Sequence, residues 1–394
     1  MTIDILITHN RYRSSSPSGE NSIVDRETDL LRTAGASMQL WEKNSDNLVA
    51  QGFVARIKAA RNLINPQGMS AVLENELRAR RPKVIHAHNV LPMFSYELFR
   101  VAARLGLPTL QTVHNFRLIS SNSHFISESG IRRPESPRER EHLKRLAPMH
   151  GRMANWFYTR SIAQAWRDKI PQNITGYLCG TEFQRQLLLS SGIPAERLIL
   201  KPNFLKNPGP AGTGSGEYVV YVGRLAIEKG ILELVMNWPR TGLPLRIIGD
   251  GPIRDKVAAL ATGNIQLMGK LERNQTQAMV RDARFLVMNS TWYEGFPLVL
   301  VESMAAGTPC LVPDLGSMSE IIANGRLGRL FKPDDPADMV NCAGRLWDEA
   351  GTMREACRAE YELKYTPERN LRLLQTIYDN VINGRLPGYE LSSI

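Results

Sequence analysis

Short apolar runs alternate with stretches of helical spacing along most of this chain, the pattern of parallel strands joined by crossover helices. In the first half, residues 3–8 read as a strand followed by a helix over 22–33, and residues 37–41 as a strand followed by helices through residue 80. A third strand at 83–88 leads to a helix over 93–105, and residues 109–113 form a fourth. The second half repeats the style with strands at 218–222, 245–248, 265–268, 284–288 and 310–312. Residues 201–216 are rich in Gly and Pro and lack an apolar period, which places an interdomain linker there. The expected divisions are a first domain over 1–205, a linker over 206–216, a second domain over 217–365 and a closing helix and tail over 366–394. In that tail Leu371, Leu374, Ile377, Tyr378 and Val381 have the spacing of an amphipathic helix.

Length agrees with this division, because 394 residues exceed one ordinary core and 43% hydrophobic content can fill two. The formal charge of +10 suits nucleic acid, an anionic membrane surface or acidic small molecules. Basic residues are dispersed among acidic ones and no nucleic-acid motif is present, so nucleic acid ranks last. Cys179, Cys310, Cys342 and Cys357 show no paired metal spacing and fit a reducing cytosol. No stretch approaches the roughly 18 apolar residues of a spanning helix. The expected location is cytoplasmic, with peripheral attachment to the inner face of a membrane kept open. Residues 120–169 bear on that alternative: Arg132, Arg133, Pro134, Pro137, Arg138 and Arg140 mark a basic loop before the more apolar Met153 to Tyr158. A solvated loop and an ordinary core helix is the favoured reading there, and a ligand or membrane contact the other.

The densest chemistry lies at residues 289–321. Glu294 sits at the carboxyl end of the strand 284–288, where open α/β sheets bind ligands, and Glu302 lies in the helix that follows. Pro297 suits the first helical position, and Gly307 with Pro309 stops the helix before the next strand. The free N–H groups of that helix's first turn, around Phe296, Leu298 and Val299, would favour a phosphate, with Gly295 and Pro297 also expected to line the donor site. Upstream, strand 218–222 ends in Gly223-Arg224, and Lys229-Gly230 follows before another helical stretch. Arg224 can fork onto phosphate oxygens while Lys229 supplies a compact charge, the work a metal does elsewhere. No Asp-x-Asp motif and no His/Cys/carboxylate cluster with metal spacing is seen, so no metal and no cofactor is expected. The Gly249-Asp250-Gly251-Pro252 turn is expected in a structural role beside this site.

In the first half, Asn10, Gly19, Glu20, His88, Asn89, His114, Asn115 and Arg117 stand at or shortly after strand ends, where polar groups converge on one rim. His86 alternates with His88, and the two are expected on opposite strand faces with at most one at the site. His114 is the stronger candidate because it ends an apolar strand and polar residues follow it.

These residues closely resemble glycosyltransferase family 4, retaining sugar transferases of the GT-B fold. Members carry two glutamates separated by seven residues, then a small-residue helix, Gly-x-Pro, a strand and Gly-x-x-x-Glu. Here these are Glu294 and Glu302, Ala305-Ala306-Gly307-Thr308-Pro309, and Gly316 with Glu320. Asn289 stands where many members have Pro, and Ser18 replaces the first Gly of a Gly-Gly-Glu turn. Cysteines that many relatives carry after the His-Asn segment are replaced by Leu118 to Ser123. The resemblance implies two Rossmann-like, doubly wound α/β domains facing across a cleft, with the C-terminal helix crossing back to the first. It places Glu294 near the transferred sugar, Glu302 on the ribose hydroxyls, Arg224 and Lys229 on the diphosphate, and the backbone near Leu271 on the base. His114 would join Glu294, Arg224 and Lys229 as a catalytic group.

The expectation is therefore a metal-independent, retaining transfer of a hexose-type sugar from a UDP- or GDP-sugar to a saccharide, lipid-linked saccharide or small metabolite. Glycan or polysaccharide biosynthesis is the expected setting. The rivals are a sugar-nucleotide epimerase of the same fold, which needs no acceptor pocket, and an inactive carbohydrate-binding partner subunit. Retention of Glu294, Glu302, Arg224 and Lys229 together argues against the latter.

Overall fold

The apolar runs become two six-stranded sheets in the computed structural model, which describes residues 4–12, 14, 19–119, 126–127, 130–131 and 152–385. The chain divides into one unit of Met1–Pro202 with Glu368–Ile394 and another of Asn203–Pro367. The basic loop around Arg132 to Arg140, and Ser18, lie outside the described residues. No helix among the described residues is long and apolar enough to cross a membrane.

The first unit contains β1 (Ile5–Arg11), β2 (Met38–Asn44), β3 (Val84–Ala87), β4 (Thr109–Val113), a small hairpin of β5 (Ile126–Ser127) and β6 (Gly130–Ile131), then β7 (Gly176–Cys179) and β8 (Leu198–Leu200). Its main sheet is parallel throughout, in the order β2-β1-β3-β4-β7-β8. A parallel sheet needs both faces covered, and the strand alternation provides for this. Leu6, Ile85, Tyr177 and Cys179 join one buried cluster with Leu73, Leu77 and Leu98 from helices. Ile7, Val84, Leu110 and Leu178 join another with Val24 and Leu31. The helix Pro367–Ile382 completes that second layer through Leu374, Ile377, Tyr378 and Val381, so the C-terminal helix does return to the first unit.

The second unit holds β9 (Val219–Val222), β10 (Leu245–Ile248), β11 (Ile265–Gly269), β12 (Leu286–Val287), β13 (Cys310–Pro313) and β14 (Gly328–Phe331), in the order β11-β10-β9-β12-β13-β14. All its pairings are parallel. Strands β7, β8 and β14 were not expected from the sequence. They have three or four residues, and β7 and β14 are as long as β9, β10 and β13, which the sequence did reveal, so length alone does not account for the omission.

The expected linker is not a free tether. Phe204 and Leu205 are buried, and the backbone beyond them, which has no strand partner, is satisfied by the second unit. Leu205 N donates to Tyr365 O at 3.0 Å, Gly212 N to Ala306 O at 2.9 Å and Gly216 N to Asp282 O at 2.8 Å. Arg354 Nε donates to Gly212 O at 3.1 Å and Arg358 Nη1 to Gly209 O at 3.0 Å. Gly and Pro mark absent secondary structure here, while side chains distant in sequence supply the anchoring.

The returning helix also makes a polar contact, with Tyr378 Oη 2.7 Å from His86 Nδ1 while His86 Nε2 lies 2.7 Å from Thr112 Oγ1. All three groups are buried. Tyr378→Phe should cost about 1–3 kcal/mol of unfolding free energy in a denaturant titration, the usual cost of stranding a buried polar partner. An unchanged midpoint and slope would show that this contact does not hold the helix.

Candidate active site

In the second unit the strand order reverses beside β9: the chain runs from β9 through β10 to β11 on one side and resumes with β12 on the other. Ligands of open α/β sheets bind outside the strand ends at such a switch point. The segments leaving β9 and β12 there carry Arg224, Lys229 and Glu294.

Backbone contacts hold these segments in place. Gly223 N donates to Ile248 O at 3.0 Å and Leu225 N to Asp250 O at 2.9 Å, joining the turns after β9 and β10. Gly249 has φ +147°, and a Cβ there would fall 1.9 Å from Gly223 O. The contact requires glycine on both conformational and steric grounds. Thr291 N donates to Glu228 O at 3.1 Å, and Asn289 Nδ2 to Gly230 O at 2.8 Å, joining the turn after β9 to the loop after β12. At Gly230, φ +60°, a Cβ would lie 1.9 Å from Asn289 O. Asn289, which the sequence marked only as a departure from the family pattern, thus pins the Lys229 turn to the Glu294 loop.

This zipper places Lys229 Nζ 2.6 Å from Glu294 Oε1, which also accepts from Ser290 Oγ at 2.6 Å. Burial pushes the Glu294 carboxyl up, but the Lys229 charge and the hydrogen bonds outweigh it and hold the group below its usual range. Lys229 retains capacity, because an ammonium has three donors. The Arg224 guanidinium is exposed and has no hydrogen-bond or ion-pair partner among the described residues. The helix after Glu294 is Leu298–Ala305, with Pro297 as its N-cap rather than its first residue. Glu302 is half-buried on that helix, and Gly295 and Phe296 are half-buried before it. Leu271 is half-buried just beyond β11, whose Gly269 O accepts from Gly249 N at 2.9 Å.

In the first unit the order reverses between β1 and β3, and the expected polar residues divide into two kinds. Asn10 and Asn89 are structural. Asn10 Nδ2 donates to Ser45 Oγ at 2.9 Å while Oδ1 accepts from Met93 N, and Asn89 joins Asn10 O to Leu91 N. Glu20, Asn115 and Arg117 instead form a polar cluster. Asn115 Nδ2 donates to Glu20 Oε1 at 2.7 Å, and Arg117 Nη1 lies 3.0 Å from Tyr12 Oη. Burial pushes the Glu20 carboxyl above its usual range despite Arg117 and Asn115. Gly19, exposed, begins the helix that carries Glu20. His88, His114, Asn115, Arg117 and Tyr96 line one pocket.

The expectation that His86 and His88 take opposite faces is wrong. Residues two apart in extended chain share a face, and their rings lie 4.5 Å apart beside one carboxylate, that of Glu27. Glu27 escaped sequence reasoning altogether, because it is a helical residue whose partners are remote in the chain. Its Oε1 lies 3.3 Å from His86 Nδ1 and 3.4 Å from His88 Nε2, and its other oxygen contacts Lys201 Nζ. Ligand atoms of Glu27, His86 and His88 lie within 4.8 Å of one another, a grouping with metal-binding potential that sequence spacing does not reveal. Lys201 already supplies the positive charge there, and both His86 nitrogens engage hydroxyls.

Comparison with known proteins gives a consistent set of likenesses. Residues 216–349 match the family model described as Glycosyl transferases group 1, and residues 32–203 the one described as Glycosyl transferase 4-like domain. Glycogen synthase of Mycobacterium tuberculosis is 25% identical over 297 residues, which cover 72% of this chain and 64% of that protein. Alpha-D-kanosaminyltransferase of Streptomyces kanamyceticus is 24% identical over 294 residues, 71% of this chain and 72% of that one. Among solved structures, sucrose-phosphate synthase from Thermosynechococcus elongatus superimposes with a TM-score of 0.71 at 16% identity, covering 97% of this chain and 99% of that one. HepE from Anabaena in complex with UDP does so with a TM-score of 0.63 at 13% identity, over 95% and 100%.

The Gly249 contact yields a direct test. Gly249→Ala should destabilise the second unit by roughly 3 kcal/mol, from backbone strain and a clash with a backbone oxygen that cannot swing aside. Denaturant unfolding followed by a probe in residues 203–367 reads this, and a loss below about 0.5 kcal/mol would show that the two turns separate freely.

Proposed function

We propose that this chain, which belongs to the GT4-type glycosyltransferases and has the GT-B fold, moves a hexose-type sugar from a nucleoside diphosphate to a hydroxyl acceptor with retention of configuration. The observation that carries this reading is the Lys229–Glu294 pair at the β9/β12 switch point, with Arg224, whose guanidinium has no partner among the described residues, in the same segment leaving β9. A lysine already neutralising a buried carboxylate, with donors to spare, suits a position between a sugar and a diphosphate.

In the proposed reaction Arg224 and Lys229 hold the diphosphate, the amides of Leu298 and Val299 add donors, and Glu302 binds the ribose hydroxyls. The bond from sugar C1 to the diphosphate oxygen breaks through an oxocarbenium-like state. The acceptor oxygen bonds to C1 on the same face, and its proton passes to the departing phosphate oxygen. Glu294 orients the sugar and is not the nucleophile. UDP or GDP is the proposed carrier, the acceptor is a saccharide, lipid-linked saccharide or small metabolite, and the setting is glycan biosynthesis.

Four measurements test this. With UDP, GDP and ADP offered at 100 times their dissociation constants, the true carrier should stabilise the protein by about 2.7 kcal/mol, and a non-binder by nothing. Glu302→Ala should weaken the free nucleotide in calorimetry, whereas Glu294→Gln should leave nucleotide affinity nearly unchanged and slow transfer; normal nucleotide binding by Glu302→Ala removes the ribose assignment. Transfer should persist in excess chelator, and activity lost to chelator and restored by magnesium or manganese would replace the cation-only reading. Product analysis with and without an acceptor alcohol separates transfer from epimerisation.

A further inference from the structure

We propose that Lys201, Glu27 and His88 form a buried relay that fixes His114 as the tautomer protonated on Nε2, leaving His114 Nδ1 to accept a hydrogen bond from a saccharide hydroxyl. The relay deepens the transferase reading and rests on it for the identity of the ligand, but its geometry stands independently. Glu27 and Lys201 are in contact and their side chains are fully buried. Burial pushes the Glu27 carboxyl up, but Lys201 and His86 outweigh it and keep the group ionised well below the usual carboxylate range.

The remaining oxygen of Glu27 decides the next step. Oε1 lies 3.4 Å from His88 Nε2 and 3.3 Å from His86 Nδ1, and neither Oε1 nor His88 Nε2 makes a hydrogen bond of standard geometry to any described residue. A nitrogen lone pair facing a carboxylate oxygen inside a protein repels it, whereas an N–H attracts it, so His88 carries its proton on Nε2. Lys201 already balances Glu27, so the relay needs no second cation, and with its one proton on Nε2 His88 presents a lone pair at Nδ1.

His88 Nδ1 lies 2.8 Å from His114 Nε2, with the two rings stacked at 20°. That nitrogen of His114 must donate. Burial, with His88 and His9 nearby, holds His114 well below the ordinary histidine range and hence neutral. His9 adds no charge, since burial lowers it to about 4 and its Nε2 lies 2.9 Å from Asn21 Oδ1. Asn21 Oδ1 also accepts from Tyr12 N, which identifies it as the oxygen and places the His9 proton on Nε2.

A neutral imidazole has one proton, so His114 Nδ1 is an acceptor. It has no partner among the described residues, and His114 is half-buried in the wall of the pocket that Asn115, Arg117 and Tyr96 also line. An acceptor there admits hydroxyl donors and repels phosphate and carboxylate oxygens. His88 and Glu27 are thus positioning residues that select polyol ligands through His114.

Selective ¹⁵N-histidine labelling of the full chain tests this directly, because imidazole nitrogen shifts and two-bond couplings report which nitrogen holds the proton. His114→Gln identifies the His114 signals by their loss. The expected wild-type pattern has His88 and His114 both protonated on Nε2, and a His114 proton on Nδ1 overturns the proposal. His88→Leu removes the acceptor without burying a charge, and should give mixed His114 tautomers and about a tenfold lower turnover with unchanged nucleotide affinity. A single unchanged Nε2–H tautomer in folded His88→Leu would also overturn it. The wild-type spectrum decides the relay whether or not sugar transfer is detected, so failure of the transferase reading shows separately as absent turnover with every nucleotide sugar.

Discussion

The first unit is organised around one buried negative charge. Glu27 has no solvent exposure, so its carboxylate requires partners from elsewhere in the chain, and it draws four elements to one point. Its own helix meets β3 through His86 and His88, the end of β8 through Lys201, and the C-terminal helix through Tyr378 on His86. A buried ion pair adds little net stability over an apolar pair of equal volume, but losing either partner typically costs about 3–5 kcal/mol. The arrangement therefore selects one packing more than it strengthens the unit. It also gives each histidine a defined hydrogen-bonding role.

The second unit is organised by close backbone approach. Gly249 against Gly223 and Gly230 against Asn289 allow the segments leaving β9, β10 and β12 to meet with no side chain between them. Lys229 and Glu294 are side by side because of that closeness, though they lie far apart in sequence. Their pair is part-exposed, unlike the one in the first unit, so Lys229 can share its charge with an arriving anion at little desolvation cost. The same chain thus holds one carboxylate–lysine pair with both side chains fully buried and another that solvent can reach.

Much of the fold was legible along the chain. The strand expected at 245–248 and the amphipathic helix expected around Leu371 to Val381 coincide with the structure, because each joins an apolar pattern to clear punctuation. The segment expected as a linker, 206–216, has no helix or strand, as its Gly and Pro content indicates, but composition says nothing of what such a segment docks against. The histidine error was of another kind, a misapplied strand period that the same two residues could have corrected.

What the sequence by itself determined was the local and the motif-borne: two α/β halves, the glutamate pair at 294 and 302, the two cations after β9 and the family they mark. These are legible because backbone preference and apolar periodicity act over a few residues, and a motif keeps its chemistry within one turn or helix. Only the tertiary structure decided that Lys229 pairs with Glu294, that Asn289 pins their two segments, and that Glu27 gathers Lys201, His86 and His88. Each depends on side chains separated by tens of residues or more, and a buried charge or a close backbone contact takes its partner from whatever the fold brings within a few ångströms.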